Sequence, residues 1–155
     1  MITLTPEVRA AIATHAQASY PNECVGLLLG TLEGRSKAVV ATYAAQNSWS
    51  GQVALSETDD ADSQRDRFYL DPKDYLRADR EAQAQGLDVV GCYHSHPDWP
   101  AIPSERDRVG AQGVGGGTSF SFLIQSVRSD GAAELASWLL AEDGSRFIAE
   151  ELGSR

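Results

Sequence analysis

What this chain has little of narrows its function early. It holds two cysteines, Cys24 and Cys92, which is too few for a disulfide framework and makes a cytoplasmic setting the expectation. No apolar run approaches the roughly 20 residues that a membrane-spanning helix needs. The opening residues Met1 to Pro6 lack a basic segment followed by an apolar core, so no secretory signal is expected. Basic side chains are scarce: 13 Lys and Arg face 22 Asp and Glu, a net charge of −9. A surface of that sign does not track a phosphate backbone or an anionic bilayer, so neither nucleic acid nor membrane is the expected partner. Glycine is present, but the run Gly113 to Gly117 has no Lys-Ser or Lys-Thr pair after it and is no phosphate loop. It reads either as a mobile flap or as a plain connector.

What is there suits a single domain, residues 1–155, large enough to bury roughly 70% of its unfolded surface. Thr5-Pro6-Glu7 is a helix opening, with a hydroxyl cap, proline in the first turn and an acid at the positive dipole end. Val8, Ile12 and Ala16 recur at helical spacing to about Ser19, with His15 at the edge of that face as a half-buried structural histidine. Val25 to Thr31 and Ala38 to Tyr43 predict a hairpin around Gly34. Asn47 to Gln64 is polar and acidic and predicts an exposed loop, with Trp49 either a substrate contact or a packed anchor. A short strand is expected over Arg67 to Leu70, then a helix from Asp71-Pro72 to a stop at Gly86. Leu87 to Tyr93 predicts a buried strand, followed by a short helix from Ser104, a strand through Phe120, Phe122 and Ile124, and a hairpin across Asp143-Gly144. That order predicts an α/β (α+β) domain: one curved mixed sheet flanked by helices.

The chemistry concentrates where the buried strand ends, in His94-Ser95-His96-Pro97. On extended backbone, residues two apart share a face with Cα atoms ~6.7 Å apart. Both imidazoles can then reach one ion at about 2.0–2.1 Å, the usual zinc–nitrogen distance. A bare His-x-His is a weak signal, because two histidines at a strand end are often ordinary hydrogen-bonded groups. With His15 remote, a third ligand is expected to be a carboxylate, Asp98 or Asp107. Asp98, in a proline-rich turn, can equally close an Asx-turn. Asp107 alone reads as the acid of a capping box whose N-cap is Ser104. The joint spacing of His-x-His, seven residues, Ser, two residues and Asp tips the reading towards ligation. A helix starting at Ser104 projects Asp107 beside the cap hydroxyl, so capping and ligation are compatible. Cys92, one pleat deeper on the histidine face, reads as packing, as does Cys24.

His94-Ser95-His96-Pro97 with Ser104 and Asp107 at that spacing resembles the signature of the JAMM (MPN-plus) zinc metalloprotease family. The stretch Tyr20 to Gly30, containing Glu23-Cys24-Val25-Gly26, resembles the family's other conserved segment, which holds its catalytic glutamate. Glu23 is singled out only through this resemblance; by sequence alone it is an ordinary turn residue. The resemblance implies a sheet flanked by helices (the cytidine deaminase-like architecture) with the metal at one strand end. It implies one Zn2+ per chain on His94, His96 and Asp107, with the fourth position left to water. It also implies Glu23 as the proton carrier and Ser104 as the hydroxyl that stabilises the oxyanion. In small bacterial members, the resemblance implies cleavage after the C-terminal Gly-Gly of a ubiquitin-like or sulfur-carrier β-grasp protein, which is the expected partner.

Other readings fare less well. A metallo-β-lactamase-like hydrolase would need a further histidine where Trp99 stands, and a zinc deaminase needs a Pro-Cys-x-x-Cys segment that is absent. A non-catalytic MPN scaffold that only binds partners predicts missing ligands, whereas His94, His96, Ser104, Asp107 and Glu23 are all present.

Overall fold

The computed structural model describes residues 1–49, 69–112 and 117–154. The chain opens with β1 (Ile2–Leu4) and α1 (Pro6–Ser19), where the Thr5 hydroxyl accepts from the Val8 N–H at 3.2 Å. The hairpin follows as β2 (Val25–Glu33) and β3 (Ser36–Ala45), turned by Gly34 at φ 63°. Next come α2 (Pro72–Ala84), capped by Asp71, then β4 (Asp88–Pro97) and α3 (Glu105–Ala111). Four strands close the chain: β5 (Ser121–Arg128), β6 (Gly131–Leu140), β7 (Phe147–Glu150) and β8 (Leu152–Ser154). Among the described residues this is an α+β fold on one mixed eight-stranded sheet, in the order β7-β6-β5-β4-β2-β3-β1-β8.

The expected elements form, with three differences. β4 runs on through His94 and His96 to Pro97 rather than ending at Tyr93, because its pairing with β5 continues to Pro97 opposite Val127. The terminal strands β1 and β8 were not anticipated; at three residues each they carry too little periodicity to be seen, and they exist because they pair with each other. Of the strand expected over Arg67 to Leu70, Arg67 and Phe68 lie outside the described residues, and Tyr69 and Leu70 form none. The Tyr69 N–H instead donates to the Asn47 side chain at 3.1 Å. Most of the Asn47–Gln64 loop and of the Gly113–Gly117 run lies outside the described residues too.

The sheet is covered on both faces. α1 packs Val8, Ile12 and Ala16 onto a cluster with Leu28, Tyr93 and Leu123. The opposite face buries Leu27, Leu29, Cys92 and Phe122 beneath α2 and α3, where Ala78 and Ala82 let α2 approach closely. Strand alternation alone would put Val90 and Cys92 on one face, yet they belong to different clusters. An irregularity in the β2–β4 pairing, where Leu28 faces Gly91 but Leu29 faces Val89, leaves Val90 as the extra residue and reverses the alternation. That bulge turns Cys92, His94 and His96 towards α2 and α3.

β7 and β8 stand at opposite edges of the sheet although only Glu151 separates them, so the sheet curls until its two edges meet on one stretch of chain. The closure encloses charge. Lys37, its side chain 0% exposed, donates to Glu150 Oε2 at 3.1 Å, while the Ser121 and Ser137 hydroxyls donate to Oε1 at 2.6 and 2.8 Å. Four strands are thereby tied through one carboxylate. Removing one member of such a pair strands a buried charge, at a cost of about 3–5 kcal/mol. Lys37→Met is therefore expected to lower the urea midpoint sharply, and the double variant Lys37→Met/Glu150→Gln to recover part of the loss. A single variant as stable as the parent would show that the pair carries no such load.

Candidate active site

β4 delivers His94 and His96 to the α3 side of the sheet, and the 98–104 loop folds α3 back over them. Three donor atoms converge there. His94 Nε2 and His96 Nε2 are 3.1 Å apart, and Asp107 Oδ2 lies 3.2 and 3.0 Å from them. Glu23 joins the group: one ligand atom from each of the four residues falls within 4.8 Å of all the others, and all four are buried. The strand register accounts for Glu23. Val25 pairs with His94 across antiparallel strands, and continuing that register by two residues sets Glu23 opposite His96 on the same face.

The donor set fits a metal for a reason internal to the site. The His96 Nδ1 lies 2.8 Å from the Pro100 carbonyl, which can only accept, so Nδ1 carries the proton. In a neutral imidazole, Nε2 then presents a lone pair towards His94 Nε2 and Asp107 Oδ2. Acceptors this close repel unless something positive lies among them, either a proton or a cation. Two imidazole nitrogens and one carboxylate oxygen about 3.1 Å apart are a donor set suited to a divalent metal, and His94, His96 and Asp107 would hold the ion.

Comparison with known proteins places this geometry. Residues 5–141 match the family described as prokaryotic homologs of the JAB domain. The chain belongs to that family. A desampylase of Haloferax volcanii is 29% identical over 141 residues, covering 88% of this chain and 87% of its own. A Thermus thermophilus protein named a probable TtuB-protein conjugate cleaving protease is 42% identical over 40 residues, 26% of this chain and 27% of its own. The solution structure of a Desulfitobacterium hafniense protein covers 100% of this chain and 93% of its own, with a TM-score of 0.77 and 31% identity. A JAB1/MPN domain protein from Archaeoglobus fulgidus shares the fold, with a TM-score of 0.53 and 16% identity over 98% and 97% of the two chains. The JAMM-type family, the α+β sheet and the metallopeptidase class expected from the histidine signature are borne out.

In this JAB-domain chain, capping and convergence fall on one carboxylate. Ser104 N–H donates to Asp107 Oδ2 at 2.9 Å, and Asp107 N–H donates back to Ser104 Oγ at 3.1 Å, closing the capping box that both readings of Asp107 required. Burial works to raise the Asp107 carboxyl, but the charges and hydrogen bonds of His94 and His96 outweigh it and hold the group well below the carboxylate range. Burial likewise works against charge on His96, yet the hydrogen bond and charge of Asp107, helped by the Pro100 carbonyl, raise it above its ordinary 6.5.

The remaining sequence candidates divide cleanly. Asp98 stands outside the group: it is exposed, at φ 60°, and accepts from the Tyr20 hydroxyl at 2.8 Å. His15 is half-buried and bonded to the Tyr93 hydroxyl at 2.7 Å, a structural role. Trp49 is buried beneath the Arg106 guanidinium, as a packed anchor is. Cys24 and Cys92 are free buried thiols, pushed by burial up to about 11 and about 12.

Sequence reasoning missed the residues that hold Glu23 in place. The buried Ser95 hydroxyl accepts from the Cys24 N–H at 2.8 Å, and the Ser95 N–H donates to the Cys24 carbonyl at 3.2 Å. Asn47 Nδ2 donates to the Glu23 carbonyl at 3.0 Å, while its Oδ1 accepts from Trp49 and Tyr69 at 3.0 and 3.1 Å. One side chain thus joins Trp49 and Tyr69 to the backbone of Glu23. The alternation of His94, Ser95 and His96 does signal that Ser95 faces away from the histidines; which backbone it meets is decided by β2.

Proton and metal compete for the same lone pairs, which fixes the sign of a pH effect. Protonated His96 stabilises the metal-free protein fully below pH 6.5, and that contribution is lost as pH rises through the raised folded value. Ionised Asp107 stabilises above 3.8 and is lost only in strong acid. Zinc affinity is expected to rise by up to about tenfold per pH unit until His96 deprotonates, and the melting gap between loaded and metal-free protein to widen over the same range. Zinc titration by calorimetry at several pH values checks this; a pH-independent affinity would contradict it.

Proposed function

We propose that this protein is a zinc peptidase that hydrolyses the amide bond after the C-terminal Gly-Gly of a ubiquitin-like or sulfur-carrier β-grasp protein, releasing a cysteine, a short extension or a conjugate. The observation that carries this reading is the buried convergence of two imidazole nitrogens and one carboxylate oxygen, with the Glu23 carboxylate within 4.8 Å. The relatives named for desampylation and for cleaving TtuB-protein conjugates supply the substrate class. The two free buried cysteines accord with a cytoplasmic setting.

His94, His96 and Asp107 would hold one zinc per chain. When bound, it supplies Lewis acidity, towards a water whose pKa falls from about 15.7 to about 7 and towards the amide carbonyl. Glu23 accepts the proton that water loses as its oxygen adds to the carbonyl carbon. The same carboxyl then delivers that proton to the leaving nitrogen as the C–N bond breaks, leaving a carboxylate and an amine. Ser104 Oγ accepts from the Asp107 N–H, which leaves its own proton free to donate to the developing oxyanion. No serine or cysteine nucleophile is required. The scaffold alternative, a non-catalytic MPN module, does not account for four buried ligating groups meeting in one place.

Purified protein is expected to carry about one zinc per chain by elemental mass spectrometry, and His94→Ala to carry far less. Glu23→Gln is expected to keep its zinc yet lose about 100-fold or more in turnover of extended carriers, read by intact mass. Undiminished zinc in His94→Ala would remove the ligand assignment, and near-parental turnover in Glu23→Gln would remove the proton carrier.

A further inference from the structure

An apolar hollow adjoins the metal group, and a polar one shares only Glu23 with it. One, of about 440 Å³, is floored by sheet residues Val25, Cys92, Phe122 and Ile124, walled by Tyr75 and Ala111, and reaches His94 and Asp107. The other, of about 620 Å³, is polar and open, and holds Glu23 together with His15, Asn22 and Asn47. Protein interiors are packed with few voids larger than a water molecule, and an apolar cavity of about 150 Å³ already accommodates benzene. A void of this size against the candidate ligands is therefore too large to be a packing defect.

The direction of proton transfer orients the substrate, on the peptidase reading above. Glu23 must lie beside the nitrogen that leaves, so the leaving group is placed on the Glu23 side of the metal group. The acyl chain then extends the other way, past His94 and Asp107, towards the apolar cavity. The two glycines before the bond have no side chains to place in it. Cys92 and Phe122 are paired across β4 and β5 one full pleat below His94 and Ile124, about 6.7 Å. An extended diglycine spans about the same length. The first side chain able to reach the apolar floor is therefore that of the residue immediately before Gly-Gly.

We propose that the cavity between the β4–β5 face and helices α2 and α3 is the subsite for that residue, and that it selects carriers bearing a large apolar side chain there. Leu, Phe or Met buries apolar surface against Val25, Phe122 and Ile124; Ser or Asp would lose water there, with polar lining groups such as Arg106 confined to the α3 wall. The discrimination expected from burying one such side chain is on the order of tenfold to a hundredfold in kcat/KM.

Gly110 provides the test. It lines the cavity from α3, and a Cβ added there meets nothing within 4 Å. Gly110 is exposed in the last turn of α3, so Gly110→Leu is expected to fold without a clash and to take up space at the mouth of the cavity that the substrate side chain needs. One β-grasp carrier is made with tails Leu-Gly-Gly-Ala, Phe-Gly-Gly-Ala, Ser-Gly-Gly-Ala and Asp-Gly-Gly-Ala, and cleavage is followed by intact mass. The parent protein is expected to prefer Leu and Phe by about tenfold or more, and Gly110→Leu to bring the ratio to about one. In parallel, calorimetry measures binding of the same carriers ending in Gly-Gly to zinc-loaded Glu23→Gln, where the same order is expected. Cleavage of all four tails at equal rates overturns the subsite and leaves the peptidase reading intact. Cleavage of none overturns the peptidase reading, and equal affinities in the binding arm then overturn the subsite as well.

Discussion

Everything at this site depends on two imidazole nitrogens and one carboxylate oxygen held about 3.1 Å apart, around a position that calls for a proton or a cation. His96 cannot turn its proton inward, because Pro100 takes it on the other side of the ring. Asp107 cannot swing away, because the same oxygen that meets the histidines caps the Ser104 N–H. The protein thus keeps an electrostatic demand in place through backbone groups rather than through flexible side chains. A proton meets that demand in acid; a divalent ion meets it better once the pH is high enough for His96 to give its proton up.

The fold keeps this arrangement from relaxing. One continuous stretch, β7 to β8, closes the sheet on itself, and the Glu150 carboxylate joins β3, β5, β6 and β7 inside it. The bulge at Val90 sets which face the histidines present. Glu23 is then oriented by its neighbours' backbone bonds, through Ser95 on one side and Asn47 on the other. This residue at the mouth of β2 is clamped by one side chain from β4 and one from the segment after β3.

Much of this was readable from the chain. The His-x-His pair, the Ser-x-x-Asp cap and their separation name the donor set, because strand and helix periods dictate where those side chains point. The helices announce themselves at Thr5-Pro6 and Asp71-Pro72, and hairpin turns at Gly34 and at Asp143-Gly144. The terminal strands were not legible, since three residues cannot show an alternation and their partners are at the other end of the chain. Ser95 and Asn47 were hidden for a related reason: each acts on a backbone group, and backbone groups leave no trace in sequence.

The sequence by itself determined the donor types and their local geometry, because a His-x-His pair and a Ser-x-x-Asp cap are each set within one strand or one helical turn. Only the tertiary structure decided that Asp107 comes within 3.2 and 3.0 Å of the two imidazoles, that Glu23 stands opposite His96, and that an apolar hollow opens behind the histidines. Those outcomes rest on strand register, on one extra residue in β4 and on the packing of α2 and α3 over the sheet. Such relations join residues tens of positions apart, and no local pattern encodes them.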